Sequence, residues 1–123
     1  MCMKEWHRSR SFFESAKFGF HGIYQVFVRE QNLRIQAVIG TLVVCAMLFL
    51  RIPLYQMAIL ILAIMLVMTL EMINTCLELF SDRVHPEYNE AIRISKDVAA
   101  GAVLFASIGA CIVGIFIFIP SIL

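Results

Sequence analysis

At 123 residues, of which 61% are hydrophobic and 15% charged, the chain is too short for two domains and too apolar for an ordinary soluble one. Its formal charge of +1 hides a segregation: all nine acids, and every basic residue except Arg51, fall within residues 4–34 or 71–97. This excludes a soluble enzyme domain and a basic nucleic-acid binder, and fits a single all-α integral membrane domain over 1–123.

The first element is polar on one side. Ser11-Phe12-Phe13-Glu14 has the form of a capping box. Phe12, Phe13, Ala16, Phe20, Ile23 and Phe27 then recur at helical spacing, with Glu14, Lys17 and His21 opposite. The segment over about 11–28 reads as an amphipathic helix lying on the membrane surface. Its interleaved charges, with no small-residue cleavage site behind them, separate it from a secretion signal. A purely orienting role fits it as well as a functional one.

Three membrane helices follow. Residues 35–50, 52–70 and 98–123 carry no charge. The first run is short for a ~30 Å hydrocarbon core, so Leu33 and the turn around it are drawn in, giving a span over about 33–50. Arg51, Ile52 and Pro53 form the turn, and Pro53 suits the first turn of a second helix over about 53–82. That helix, ~45 Å long, outruns the bilayer, so its last three turns must leave the hydrocarbon. The polar loop D-R-V-H-P-E-Y-N-E ends it, and a third span runs over about 97–119, with Asp97 placed to cap its N-terminus. There Ala102, Ala106, Ala110 and Gly114 recur every fourth residue, a pattern that lets backbones approach closely in lipid. Three helices of one chain cannot easily enclose the acids, so a homo-oligomer is expected.

Charge sets the expected orientation. A cytoplasmic N-terminus puts Lys4, Arg8, Arg10, Lys17, Arg29, Arg34, Arg83, Arg93 and Lys96 inside and Arg51 alone outside, as the positive-inside rule requires. The chain is thus expected to cross the membrane three times with its N-terminus in the cytoplasm.

Glu71, Asn74, Glu78 and Asp82 share one side of the second helix where it leaves the bilayer. Carboxylates at such a depth must be solvated or paired. A metal ion with a phosphorylated ligand would supply that pairing; so would ion pairs from Glu30 and Glu78 to Arg34, Arg83 or Arg93. Asp82 reads as a pairing or helix-ending residue. Cys2, Cys45, Cys76 and Cys111 stand singly, with neither zinc nor disulfide spacing, and His7, His21 and His85 are too scattered for a metal triad. No GxxxxGK[ST] loop, GxGxxG turn or Ser-His-Asp arrangement is present.

E-M-I-N-T-C-L-E-L-F-S-D followed by K-D-V-A-A-G-A-V-L, with Glu30-Gln31-Asn32 ahead of the first span and a closing I-F-I-F-I-P, resembles the small prokaryotic membrane lipid kinases, the diacylglycerol and undecaprenol kinase family. The similarity covers roughly residues 11–120. It implies a homotrimer that moves the γ-phosphoryl group of ATP, with Mg2+, to the hydroxyl of a membrane lipid. By that resemblance Glu71 is the general base, Glu30 and Glu78 bind magnesium, and Lys96 and Asp97 contact nucleotide. Glu87, Tyr88 and Asn89 line the nucleotide, and Asn74 is an essential polar residue. Asp97 could equally cap its helix, Tyr88 serve as an interfacial aromatic and Asn74 bond between helices. Phe18 and Ser11 depart from the tyrosine and arginine of the diacylglycerol branch. Thr75, the A-A-G-A-V-L run and Pro120 lean toward the undecaprenol branch, while Asp82-Arg83 belongs to the other.

Two other classes compete. An ion- or proton-coupled transporter subunit would use the acids as its binding site, but such sites sit at the bilayer midplane. A non-catalytic assembly subunit would need only the small-residue stripe, and leaves the acids unexplained.

Overall fold

The computed structural model describes residues 11–123, all helical apart from short connections. Lys4, Arg8 and Arg10, which weigh on the orientation, lie outside the described residues, as do Cys2 and His7.

Helix α1 runs Phe12–Arg29, and its start is set by Ser11, whose Oγ accepts the Glu14 N–H at 3.2 Å. It ends at Glu30, which takes an extended conformation (φ −105°, ψ 110°), and α2, Gln31–Phe49, begins at once. No glycine or proline makes this break. Arg34 reaches back from α2, and its Nη1 donates to the carbonyls of Phe27 and Val28 at 2.6 and 2.9 Å, satisfying acceptors at the end of α1.

At the far end of α2 the chain reverses in four residues. Arg51 adopts a left-handed conformation (φ 56°), the Ile52 N–H donates to the Met47 carbonyl at 3.1 Å, and Pro53 stands at the N-cap of α3, Leu54–Val84. Met47, Ile52, Met57, Leu60 and Ile117 form the buried core there. Within the protomer few other side chains are covered: Leu62 and Phe105, for example, are exposed.

Helix α4, Glu90–Ile122, begins seven residues ahead of the expected 97. Its cap is Asn89, whose Oδ1 accepts the N–H groups of Ala91 and Ile92 at 2.9 and 3.2 Å, so Asp97 lies inside the helix and caps nothing. The charged stretch E-A-I-R-I-S-K-D resembles a loop in composition. On a helix, however, Arg93 bridges Glu90 and Asp97 at 2.7 and 2.9 Å, the spacing that supports a helical surface.

Helices α2, α3 and α4 are long and apolar enough to cross a bilayer. Helix α4 packs along α3 over much of its length and α2 packs on α3 less extensively, while α2 and α4 scarcely meet. Between them lies an apolar groove of about 630 Å³, walled in part by Gly40, Ile64, Ala110 and Gly114. Gly40, which the sequence did not single out, marks the tightest approach: a Cβ there would stand 3.0 Å from Ile64 Cγ2.

Candidate functional site at the charged end of the helices

With 31 residues, α3 is ~46 Å long, and ~20 of them suffice to cross the hydrocarbon. Counting from Leu54, the hydrocarbon ends near Ile73. Glu71 therefore sits at the apolar boundary, Asn74 just past it, and Glu78 and Asp82 in the polar zone beyond.

Glu71 is 6% exposed. Among the described residues its carboxylate has no ion-pair partner; its main-chain carbonyl accepts the Thr75 hydroxyl at 3.0 Å, and Thr75 is buried too. A carboxyl group shielded from water beside the apolar boundary is chemically able to accept a proton. One turn on, Asn74 Nδ2 donates to Glu78 Oε1 at 3.4 Å, while Asn74 Oδ1 is buried with no donor. Glu78 is half-buried and is bonded to neither Arg83 nor Arg93.

Glu30 lies in the break between α1 and α2 and is half-buried. Arg34, one turn further along, is turned toward the α1 carbonyls instead. Ion pairing to Arg34, Arg83 or Arg93, the bland explanation for Glu30 and Glu78, is not what these side chains do. Among the described residues no cluster of three His, Cys, Asp or Glu gathers to hold a metal. The donor set is nonetheless the hard-oxygen kind that magnesium prefers, since that ion takes one or two carboxylates and fills its octahedron with water and phosphate oxygens. Asn74 Oδ1, buried without a donor beside Glu78, fits such a shell.

Lys96 projects from α4 to Asp82 on α3, Nζ to Oδ1 at 2.5 Å. Pairing, not chemistry, is thus what Asp82 does here. The Asp82 side chain is 68% exposed, so the pair is easily exchanged for another anion. Asp97 is held by Arg93. In the loop, His85 Nδ1 donates to the Glu87 carbonyl at 3.0 Å and the Tyr88 hydroxyl to Glu90. Glu90 lies well outside the hydrocarbon, and the Arg93 guanidinium, then the Tyr88 hydroxyl, hold its carboxyl below the usual carboxylate range. Asn89 spends its side-chain oxygen on the α4 cap.

One polar residue went unnoticed in the sequence. Gln36 lines the α2/α4 groove, with its Oε1 buried and unpaired, and Ser107 lines it from α4. With Met68, one turn before Glu71 on α3, they mark the end of the groove nearest the acids. A single amide in an apolar run gives no periodic signal, so only packing reveals it.

A family model described as prokaryotic diacylglycerol kinase matches residues 17–118. The chain belongs to the prokaryotic diacylglycerol kinase family. It is 37% identical over 119 residues to a diacylglycerol kinase of Synechocystis, covering 96% of this chain and 68% of that one. An undecaprenol kinase of Bacillus subtilis is 28% identical over 110 residues, 89% of each chain, and a diacylglycerol kinase of Escherichia coli 31% identical over 99 residues, 80% of this chain and 81% of that one. The family match takes in every candidate site residue from Glu30 to Asp97. With three helices fit to cross a bilayer, this family member is a multi-pass membrane protein.

Proposed function

We propose that this chain is a lipid kinase that transfers the γ-phosphoryl group of ATP to the hydroxyl of diacylglycerol or undecaprenol, the acceptors named in its relatives. The observation that carries the residue-level reading is Glu71, a buried carboxylate without an ion-pair partner among the described residues, at the depth where a lipid hydroxyl lies and one turn from the unpaired Asn74 oxygen.

In the reaction the lipid hydroxyl oxygen attacks the γ-phosphorus, the bond to the β–γ bridging oxygen breaks, and ADP leaves. Glu71 accepts the hydroxyl proton, which its low exposure keeps from competing water. Magnesium, when bound, would neutralise the phosphate oxygens as charge develops. Glu78 and Glu30 would hold it, with Asn74 orienting Glu78 and presenting its free oxygen on the same side. Lys96 exchanges Asp82 for a phosphate oxygen of the nucleotide. Asp97 and the Glu87-Tyr88-Asn89 loop border the nucleotide, with Arg93 fixing Asp97 in place.

The working form is a homotrimer. The open groove between α2 and α4, floored by small residues, supports contact with a neighbouring copy. Helix α1 rests on the cytoplasmic face with its apolar side toward lipid, and the charged ends of α3 and α4 face the cytoplasm of a bacterial inner membrane. The transporter reading finds no support, since the acids gather at one end of the helices and not midway. ATP consumption by purified protein, with diacylglycerol and undecaprenol supplied separately, tests the assignment. Turnover that follows one lipid names the acceptor, and none with either removes the activity.

A further inference from the structure

The acids of α3 continue a stripe that begins inside the bilayer. Leu60, Ile64, Val67 and Met68 wall the apolar groove between α2 and α4. At about 100° per residue they fall within about 60° of Glu71, so the groove runs up to that carboxyl group. The close contact of Gly40 with Ile64 sets the register across the groove. One turn nearer the acids on each of these antiparallel helices, Gln36 is level with Met68, ~4.5 Å on the bilayer side of Glu71.

Gln36 is chemically out of place there. The groove is otherwise apolar except for Ser107, and Ser107 gives its hydroxyl proton to the Val103 carbonyl at 2.8 Å. The Gln36 side chain is half-buried, and its Oε1 is fully covered with no donor. An amide left unpaired at this depth is costly, so a polar group of a ligand would complete it. A half turn of the terminal amide puts Nε2 where Oε1 stands with no change of shape, so the same position can present a donor.

We infer that Gln36 determines which acceptor is used: its amide N–H binds the ester carbonyl of a diacylglycerol whose hydroxyl lies at Glu71, and so favours an ester-bearing glycerolipid over a prenyl alcohol. The inference rests on the lipid kinase reading above and names the acceptor class for that same site. In a diacylglycerol the first ester carbonyl stands a few bonds from the free hydroxyl, toward the chains, which is the direction from Glu71 to Gln36. Undecaprenol carries only hydrocarbon behind its hydroxyl, and would bury the amide unpaired. A site that hydrogen-bonds a substrate group discriminates against the analogue lacking it. A neighbouring copy against Gly40, Ala110 and Gly114, further from the acids, leaves the Gln36 end of the groove to the lipid.

The test measures kcat/KM of the full chain in detergent, at saturating ATP, for three acceptors. These are a 1,2-diacylglycerol, the 1,2-dialkylglycerol of equal chain length, which keeps the hydroxyl and lacks the carbonyls, and undecaprenol. The native chain is expected to favour the ester lipid over the ether lipid by about tenfold. Gln36→Leu, and Gln36→Met, which keeps the length of the side chain, should bring that ratio near one and raise the use of undecaprenol relative to diacylglycerol. Equal use of ester and ether lipids by the native chain, or preference for undecaprenol, overturns the role of Gln36 and leaves the kinase standing; this comparison needs no variant to fold. A ratio unchanged in both variants overturns it too, and loss of the native oligomer on a sizing column would then assign the amide to a contact between copies. No turnover of any acceptor overturns the kinase reading, and this inference with it.

Discussion

Asn74 gives its amide N–H to Glu78 at 3.4 Å and keeps its carbonyl oxygen buried without a donor. A buried unpaired acceptor costs on the order of 1–3 kcal/mol. Under the proposed mechanism magnesium, or a water bound to it, would relieve that cost. On this basis Glu78→Gln should shift the magnesium titration of activity to higher concentration by at least about tenfold, through loss of one charged ligand. A titration curve superposable on the native one would remove Glu78 from the shell.

Glu71 makes no ion pair among the described residues, so its substitution should affect chemistry and not folding. Glu71→Gln is expected to lower kcat by ~100-fold or more with little change in KM. Unfolding in detergent should stay at the native midpoint or move upward, because the amide no longer buries a charge. Near-native turnover would end its assignment as base.

The pair between Lys96 and Asp82 is exposed on its acidic side, so breaking it should cost less than about 1 kcal/mol of stability. Lys96→Ala should raise the KM for ATP markedly, whereas Asp82→Asn, which frees the ammonium group, should leave it unchanged or lower it. A rise of equal size in both variants, measured at saturating lipid, would mean that the intact pair and not the lysine serves the nucleotide.

Gly40 and Gly101 separate packing from mere smallness. A side chain at Gly40 meets Ile64 at once, so Gly40→Leu should lower the unfolding free energy by ~1–3 kcal/mol. Gly101 faces open space within the chain, and Gly101→Ala should leave the isolated protomer within ~0.5 kcal/mol of native. Denaturant titration in micelles distinguishes them, and a larger loss at Gly101 would place that residue against a neighbouring copy.

If active sites are completed across copies, mixing Glu71→Gln chains with Lys96→Ala chains should recover part of the native activity. Mixed oligomers, verified by differential tags, that remain as inactive as either parent would mean that each copy holds a whole site.

Read alone, the sequence shows the membrane class, the three apolar spans and the acid-bearing end of the second, because hydrocarbon length and charge segregation act residue by residue along the chain. The pattern from Glu71 to Asp97 was enough to place it among lipid kinases, and the family match agrees. It did not locate the start of α4, since Asn89 as a cap and the Glu90–Arg93–Asp97 bridges stabilise a helix whose composition reads as loop. Nor could it say whether Glu30 and Glu78 were neutralised. Ion pairing depends on which way a side chain turns, and it took the folded chain to direct Arg34 to carbonyls, Lys96 to Asp82 and Arg93 to its own helix. The close approach at Gly40 and the buried amide of Gln36 are likewise tertiary facts, because each depends on residues far apart in sequence coming together.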